Sequence, residues 1–337
     1  MKSLYLPCSL CQCLEQYLQG VKSMMLFPIH ELLDEQRCYD YLLEVLYPEG
    51  LHCPYGHPLP PEQAPHDRHR DPIFSYKCRL CDAVYNLFTD TIWNGTRYSC
   101  TTIISIMRGV AQGIPTEHLA EEIGIDRSHL LELRHEIQKL AMLSLPTSPL
   151  SDTHTESDEM YQNAGEKGHK HDDPDDPPRR RANKLRGRGT MGKDRPPILG
   201  VVGRDSGQIR LRVCDNTQQA TIQPQVEDRT KADTTLYTDE CSAYNHIAET
   251  GRSHATVCHS QKEWARDDDG DGIREVHCNT MEGIWTGLRN FLRPFRGVHK
   301  KYLALYVAMF EWAYNLKKAT SDFLRNLMMP GFTFKPT

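Results

Sequence analysis

The 337-residue chain contains no apolar run long enough to cross a bilayer. Its longest near-apolar stretch, Tyr302 to Phe310, is about half of the roughly 20 residues that a membrane helix needs, which excludes an integral helical membrane protein. No secretory leader is expected either. The start, MKSLYLPCSLCQC, has one Lys and no sustained apolar run ahead of a small-residue cleavage site. Twelve cysteines are too sparse for a secreted disulfide scaffold of this length. An excess of positive charge is also lacking: 40 Lys and Arg against 45 Asp and Glu give a formal net charge of −5. Taken alone, that number disfavours a polyanionic partner.

The charge is strongly segregated, however. Thr153 to Pro178 holds eight acidic residues against two basic ones, whereas Arg179 to Val213 holds eleven basic against two acidic. Gly283 to Thr320 adds seven basic residues and one acidic. Two basic blocks inside an acidic chain form the electrostatic footprint of a polyanion-binding protein, so charge here has to be read by block.

The length prior favours two or three domains. Residues 1–24 show no pattern and read as a disordered extension, with Met24 and Met25 as alternative starts to Met1. Residues 25–49 carry Leu32, Leu33, Tyr39, Leu42, Leu43 and Leu46 at near-helical spacing. Residues 50–97 are rich in Pro, His and Cys with short strand-like runs, residues 98–145 are helical, and residues 146–325 alternate strands and helices. A Gly/Pro/Asp/Arg-rich stretch at about 165–197 cannot build a core and reads as a mobile insertion.

Cys53-Pro-Tyr-Gly-His57 is followed by Cys78-Arg-Leu-Cys81. Two ligand pairs, each closed by a tight loop, can surround Zn²⁺ tetrahedrally, and four filled positions would make the site structural. The spacing suits a β zinc ribbon with Cys53, His57, Cys78 and Cys81 as ligands. The imidazole is the open choice, because His52, His66 and His69 lie nearby. Cys8, Cys11 and Cys13 lack a fourth partner close in sequence.

Residues 101–112 read as an apolar helix stopping at Gly113, residues 116–124 as a short amphipathic helix, and Asp126 or Ser128 can cap a third helix through Leu140. Short helix, Gly turn, longer helix is the pattern of a helix-turn-helix, whose last helix enters a major groove. On it Arg127, Ser128, His129 and Arg134 are the groups that would meet phosphates or base edges.

Residues 153–161 alternate like a strand and put Glu156 and Asp158 on one face. Two further strands follow at 196–205 and 208–215, and another at 234–244 breaks at Asp239. Residues 279–292 form an amphipathic helix with Glu282 and Arg289 seven apart on one face and Trp285 between them. Carboxylates on a first strand, a later strand and a following helix are what two-metal phosphoryl transfer needs, with the acids bridging Mg²⁺ or Mn²⁺ to a scissile phosphate.

Ribbon, helix-turn-helix, then GluSerAspGlu, TDECSAY and NTMEGIW…R, in that order, resemble the bacterial insertion-sequence DDE transposases of the zinc-ribbon, ISXO-type group. The resemblance covers residues from about Phe27 to Lys318, and TDECSAY and the run ending RGVHKKYL are its most specific parts. It implies an α/β architecture: an RNase H-like catalytic domain, a mixed sheet with flanking helices, preceded by the zinc ribbon and helix-turn-helix. It also implies double-stranded DNA as partner, a homodimer or higher assembly on DNA, and a cytoplasmic, nucleoid-associated bacterial protein away from membranes. Asp158, Asp239 and Glu282 match the three catalytic positions, with Asn279 as the fallback third. Arg289 falls where the family often has Lys, and Cys-x3-His stands where many relatives have Cys-x2-Cys. Arg293, Arg296, Lys300 and Lys301 would hold phosphates.

The expected reaction is cleavage at terminal inverted repeats and strand transfer to target DNA. A catalytically decayed copy that only binds DNA, or a structure-specific nuclease on the same fold, is the rival. Asp267-Asp268-Asp269-Gly270-Asp271-Gly272 imitates the first half of an EF-hand loop, but the twelfth position is Cys278 rather than the bidentate Glu, which favours a solvated acidic turn.

Overall fold

In a computed structural model the described residues are 32–166, 187–316 and 327–329. The expected extension at 1–24 and the greater part of the insertion at about 165–197, with its Arg179–Arg181 run, lie outside them. The chain divides into two compact units. One comprises residues 1–112, 116–140 and 316–337, the other residues 113–115 and 141–315. No helix among the described residues is long and apolar enough to cross a membrane.

The first unit opens with α1 (Glu35–Leu46), capped by Asp34, whose Oδ1 accepts from the Arg37 N–H at 3.1 Å. Its apolar face buries Cys38, Leu42, Val45 and Leu46. The two-residue strands β1 (Tyr76–Lys77) and β2 (Val84–Tyr85) pair antiparallel. Three helices follow: α2 (Cys100–Ala111), α3 (Thr116–Ile123) and α4 (Arg127–Leu143). The Ser99 hydroxyl caps α2 by accepting from the Thr102 N–H at 3.1 Å. The Glu35 carboxylate accepts from two further orphan donors of that helix, Cys100 N–H at 2.6 Å and Thr101 N–H at 3.0 Å. Gly124, at φ +74°, makes the sharp turn into α4, where Asp126 accepts from the His129 N–H at 2.9 Å.

The second unit is built on a five-stranded sheet of β3 (His154–Tyr161), β4 (Pro197–Gly203), β5 (Ile209–Val213), β6 (Thr235–Asp239) and β7 (Ser253–Val257), in the order β5-β4-β3-β6-β7. The β3–β4 and β4–β5 pairs are antiparallel, whereas β3–β6 and β6–β7 are parallel. Helix α5 (Gln219–Glu227) connects β5 to β6. The short strands β8 (Ala265–Arg266) and β9 (Val276–His277) form a separate pair before α6 (Asn279–Leu292) and α7 (Lys300–Asn315).

Side-chain alternation sorts the sheet into two faces. Met160, Ile198, Val202, Ile209 and Leu211 form one core with Met281, Ile284, Trp285 and Leu288 of α6 and Leu303 of α7. Leu199, Cys214 and Leu236 form the opposite core with Ile222 and Val226 of α5 and Tyr244. The outer edge of β5 is closed by α7. Glu311 accepts from the Leu211 N–H at 2.8 Å, and Asn315 both accepts from the Ile209 N–H at 2.7 Å and donates to its carbonyl at 2.9 Å. Side chains thereby take the place of a neighbouring strand on an edge that would otherwise template further pairing.

Gly200 shows how tightly α6 lies on the sheet. A Cβ built there would stand 2.3 Å from Met281 Cε and 2.6 Å from Trp285 Cη2. Gly200→Ala is therefore expected to destabilise the protein by about 3 kcal/mol, the upper end for overpacking a core, as read from the urea unfolding midpoint.

Candidate active site and metal-binding groups

The ribbon segment folds so that two tight turns face one another. Cys53 N–H donates to the His57 carbonyl at 2.9 Å and Gly56 N–H to the Cys53 carbonyl at 2.8 Å, with Gly56 at φ +81°. At the tip of the β1–β2 hairpin, Asp82 N–H donates to the Cys78 carbonyl at 3.0 Å, and Leu80 N–H reaches the Cys78 sulfur at 3.4 Å. The latter bond leads in pulling the Cys78 thiol down to about 6, towards the thiolate that a metal requires.

Donor atoms of Cys53, His57, Cys78 and Cys81 all lie within 4.8 Å of one another. Cys53 Sγ stands 3.7 Å from Cys81 Sγ and 3.4 Å from His57 Nδ1, and Cys78 Sγ is 3.6 Å from the same nitrogen. Tetrahedral Zn²⁺ with ordinary bond lengths has S···S edges of about 3.8 Å and S···N edges of about 3.6 Å, so the four donors fit that ion. His52 instead turns its Nδ1 to the Cys53 carbonyl at 3.0 Å and its ring edge to Tyr47, while His66 and His69 are exposed.

In the second unit Asp158 sits on β3, Asp239 ends β6 and Glu282 lies in the first turn of α6. Asp158 Oδ2 accepts from the Trp285 indole N–H at 2.8 Å. Burial pushes the Asp158 carboxyl up to about 6. The indole hydrogen bond opposes that shift, and Asp239 and Glu282 add to it as like charges. The two other carboxylates are thus close enough for Asp158 to feel both, with Asp239 half-buried and Glu282 exposed. They are not drawn into a contact cluster: among the described residues, the groups of donors within mutual 4.8 Å reach are the Cys/His set and Asp267, Asp269 and Glu275.

What positions α6 is Glu156. It is fully buried on the same face of β3, accepts from Thr280 Oγ1 at 2.8 Å and Met281 N–H at 3.1 Å, and so caps the helix from outside it. Arg204 neutralises it at 2.9 Å, donates to the Glu275 and His277 carbonyls at 2.6 and 2.8 Å, and lies 3.8 Å over the Tyr237 ring.

Comparison with known proteins completes the picture. Residues 150–315 match the family of ISXO2-like transposase domains, a span that holds all three acids and the strands and helices carrying them. Residues 150–315 belong to that group of insertion-sequence transposase domains. It is 26% identical over 298 residues to an uncharacterized protein of the transposable element ISH50 from Halobacterium salinarum, covering 85% of this chain and 92% of the other. An uncharacterized transposase-like protein of Haemophilus influenzae is 28% identical over 113 residues, 33% of this chain and 83% of that one. Among solved structures, a chain of the simian T-cell lymphotropic virus intasome in complex with a PP2A regulatory subunit aligns over 61% of this chain and 66% of its own. At 11% identity and a TM-score of 0.27, that alignment carries no argument.

The remaining expected site residues of this transposase fall into three groups. Arg127, Ser128 and His129 are exposed at the start of α4, and Arg289, Arg293, Arg296 and Lys301 are exposed on or after α6. Lys300 is half-buried and already paired, at 2.6 Å to Glu166 and 3.1 Å to Asp194. Arg134 is a correction: expected at a DNA groove, it is fully buried and its Nε donates to Thr116 Oγ1 at 2.9 Å, so it ties α3 to α4 and is withheld from any phosphate. The spacing that put it on the third helix was right, but its face is the inner one.

Sequence reasoning did not single out Glu159, Arg204 or Tyr244. Glu159 takes a hydrogen bond from the Tyr244 hydroxyl. Burial pushes its carboxyl up to about 7 against that bond, with Asp158 and Asp239 adding repulsion. Its place in GluSerAspGlu beside Asp158 was the available signal. The acidic turn closes on itself. Asp267 accepts from Gly270 and Gly272 N–H at 2.6 and 2.9 Å, and Arg266 pairs with Asp268 at 2.5 Å.

Replacing Cys78 by Ser is expected to abolish the bound zinc equivalent and expose residues 50–97 to limited proteolysis, as measured by atomic emission and gel mapping. Glu156→Ala strands the Arg204 guanidinium and uncaps α6. A loss of about 3–5 kcal/mol in urea unfolding is expected, with Glu156→Gln intermediate.

Proposed function

We propose that the chain is a DNA transposase that binds the terminal inverted repeats of its element, cleaves the ends and joins the freed strands to target DNA. The observation that carries the reading is that the family match spans a locality where Asp158, Asp239 and Glu282 arrive from β3, β6 and α6 and Asp158 senses both partners. A five-stranded mixed sheet with helices on both faces supports the RNase H-like assignment of this domain.

In the proposed chemistry a water attacks the phosphorus at the element's end, the P–O3′ bond breaks, and a 3′-hydroxyl and a 5′-phosphate result. The 3′-hydroxyl then attacks a target phosphorus and displaces the target's own 3′-oxygen. Asp158, Asp239 and Glu282 would hold Mg²⁺ or Mn²⁺, which supplies nucleophile activation and stabilises the leaving oxygen. The Trp285 N–H fixes the Asp158 carboxylate in place, and Glu156 fixes the helix on which Glu282 rides. The exposed Arg289, Arg293, Arg296 and Lys301 would neutralise backbone phosphates, so binding should weaken steeply with salt.

The first unit is proposed to recognise the ends. Its Cys53, His57, Cys78 and Cys81 set holds a structural zinc, and α3 and α4 form the helix-turn-helix with Arg127, Ser128 and His129 presented at the start of the second helix. Joining two ends together requires at least two copies on the DNA.

The decisive measurement is strand transfer with pre-cleaved ends in the presence of Mg²⁺. Asp239→Ala is expected to lower joining by at least a thousandfold while leaving end binding within about twofold, since the variant loses a carboxylate outside the first unit. Unchanged joining would overturn the catalytic assignment, and joining absent from the parent protein as well would identify a decayed, DNA-binding copy.

A further inference from the structure

The second unit contains a cavity of about 360 Å³ that the proposed chemistry does not use. It lies beside the edge strand β5, walled by residues 145–148, the Asp228–Arg229 turn and α7. Three guanidiniums line it: Arg210, Arg212 and Arg229.

Their state is unusual. Arg210 is only 6% exposed, donates through Nη1 to the Ile209 carbonyl at 3.0 Å, and leaves a buried Nε with no hydrogen-bond partner. A buried N–H left unpaired is destabilising, and a bound acceptor reaching it would remove that penalty. Arg229 donates one N–H to the Gln225 carbonyl at 2.8 Å, and Arg212 is exposed. Among the described residues none of the three makes an ion-pair contact within 4.0 Å, although Arg210 and Arg229 feel the charge of Glu311 in the same lining. Of the two carboxylates in the lining, Glu311 has one oxygen engaged by the Leu211 N–H, and Asp228 is exposed. Three cations against two anions leave the lining positive.

Size and composition narrow the ligand. Guanidinium forks match the paired oxygens of a phosphate. A lone phosphate occupies only the space of a few waters at about 30 Å³ each, far less than this cavity, whose volume is in the range of small-molecule sites. Leu145, Pro146 and Val307 supply the apolar wall that a flat base needs. Two of its arginines also face away from the acids, while Leu211 and Val213 on the acids' side of the sheet complete the lining. Asp158 pairs across the sheet with Gly200 and Gly200 with Leu211, so these share a face, and Arg210 and Arg212, one residue to either side of Leu211, point to the other.

We propose that this cavity binds a single nucleotide, with its phosphate held by Arg210, Arg212 and Arg229 and its base against Leu145, Pro146 and Val307. The nucleotide is either free or an unpaired residue of a DNA strand, and the chemistry of recognition is the same. The inference stands apart from the catalytic reading, because it concerns binding and can be measured on protein whose cleavage is disabled.

The test is calorimetric titration of the full chain carrying Asp239→Ala with 5′-dAMP and with inorganic phosphate. We expect 5′-dAMP to bind at least tenfold more tightly than inorganic phosphate. Adding Arg212→Gln or Arg229→Gln should weaken 5′-dAMP at least tenfold. The exposed Arg212 makes the first of these variants neutral for the unfolding midpoint, so its loss of binding cannot come from misfolding. Displacement of 5′-dAMP by a short single-stranded oligonucleotide would assign the site to a DNA strand, and absence of displacement would assign it to free nucleotide. No binding of 5′-dAMP, or equal affinity in the parent and in both arginine variants, would overturn the proposal.

Discussion

The buried carboxylate of Glu156 is the contact on which the geometry of the candidate active site depends. A charge with no exposure survives in a protein interior only when it is paired and hydrogen-bonded, and Glu156 is both. Its acceptors are spent on the first turn of α6, through Thr280 and Met281, and its charge on Arg204. One side chain on β3 thereby locks a helix that is 124 or more residues away in sequence. Because Glu282 lies one residue beyond Met281 and Asp158 two beyond Glu156, this lock sets the separation of two of the three acids. Gly200 and Trp285 complete it: the absent Cβ lets the indole lie against β4, and the indole N–H then meets Asp158.

The environment of the acids has two consequences that pull against each other. Burial and mutual repulsion disfavour three ionised carboxylates in one place, as the raised Asp158 carboxyl shows. The same repulsion makes the place receptive to cations. The ribbon follows the opposite logic. Its four donors already lie within reach of one ion because tight turns close each knuckle locally and an N–H···S contact holds the second. Local backbone geometry builds one group, and long-range packing builds the other.

Much of this was legible in the chain. Hydrophobic periodicity located α2, α3, α4 and α6, alternation located β3, and strand-like runs bounded by turn residues located β4 to β6, because these patterns are local. Cysteine and histidine spacing picked out the ligand set, since the turns that close it are only a few residues long. Residues were misjudged where burial depends on distant partners. Arg134 has the right spacing for a groove and the wrong face. Arg204 and Arg210 belong to a basic block that reads as a polyanion surface, yet one neutralises Glu156 and the other is buried at the β5 edge. Charge by block was a better guide than the net value of −5, but a block still mixes structural with exposed cations.

The sequence by itself determined which acids, thiols and imidazoles this transposase could use, and on which kinds of element they ride, because spacing and periodicity are local properties. Only the tertiary structure decided which imidazole of four completes the ribbon set, that Glu156 works as a cap rather than as a free acid, and that three arginines enclose a cavity at the edge of β5. Those outcomes depend on which surfaces meet after folding. Contacts between residues far apart in the chain leave no periodic trace in it.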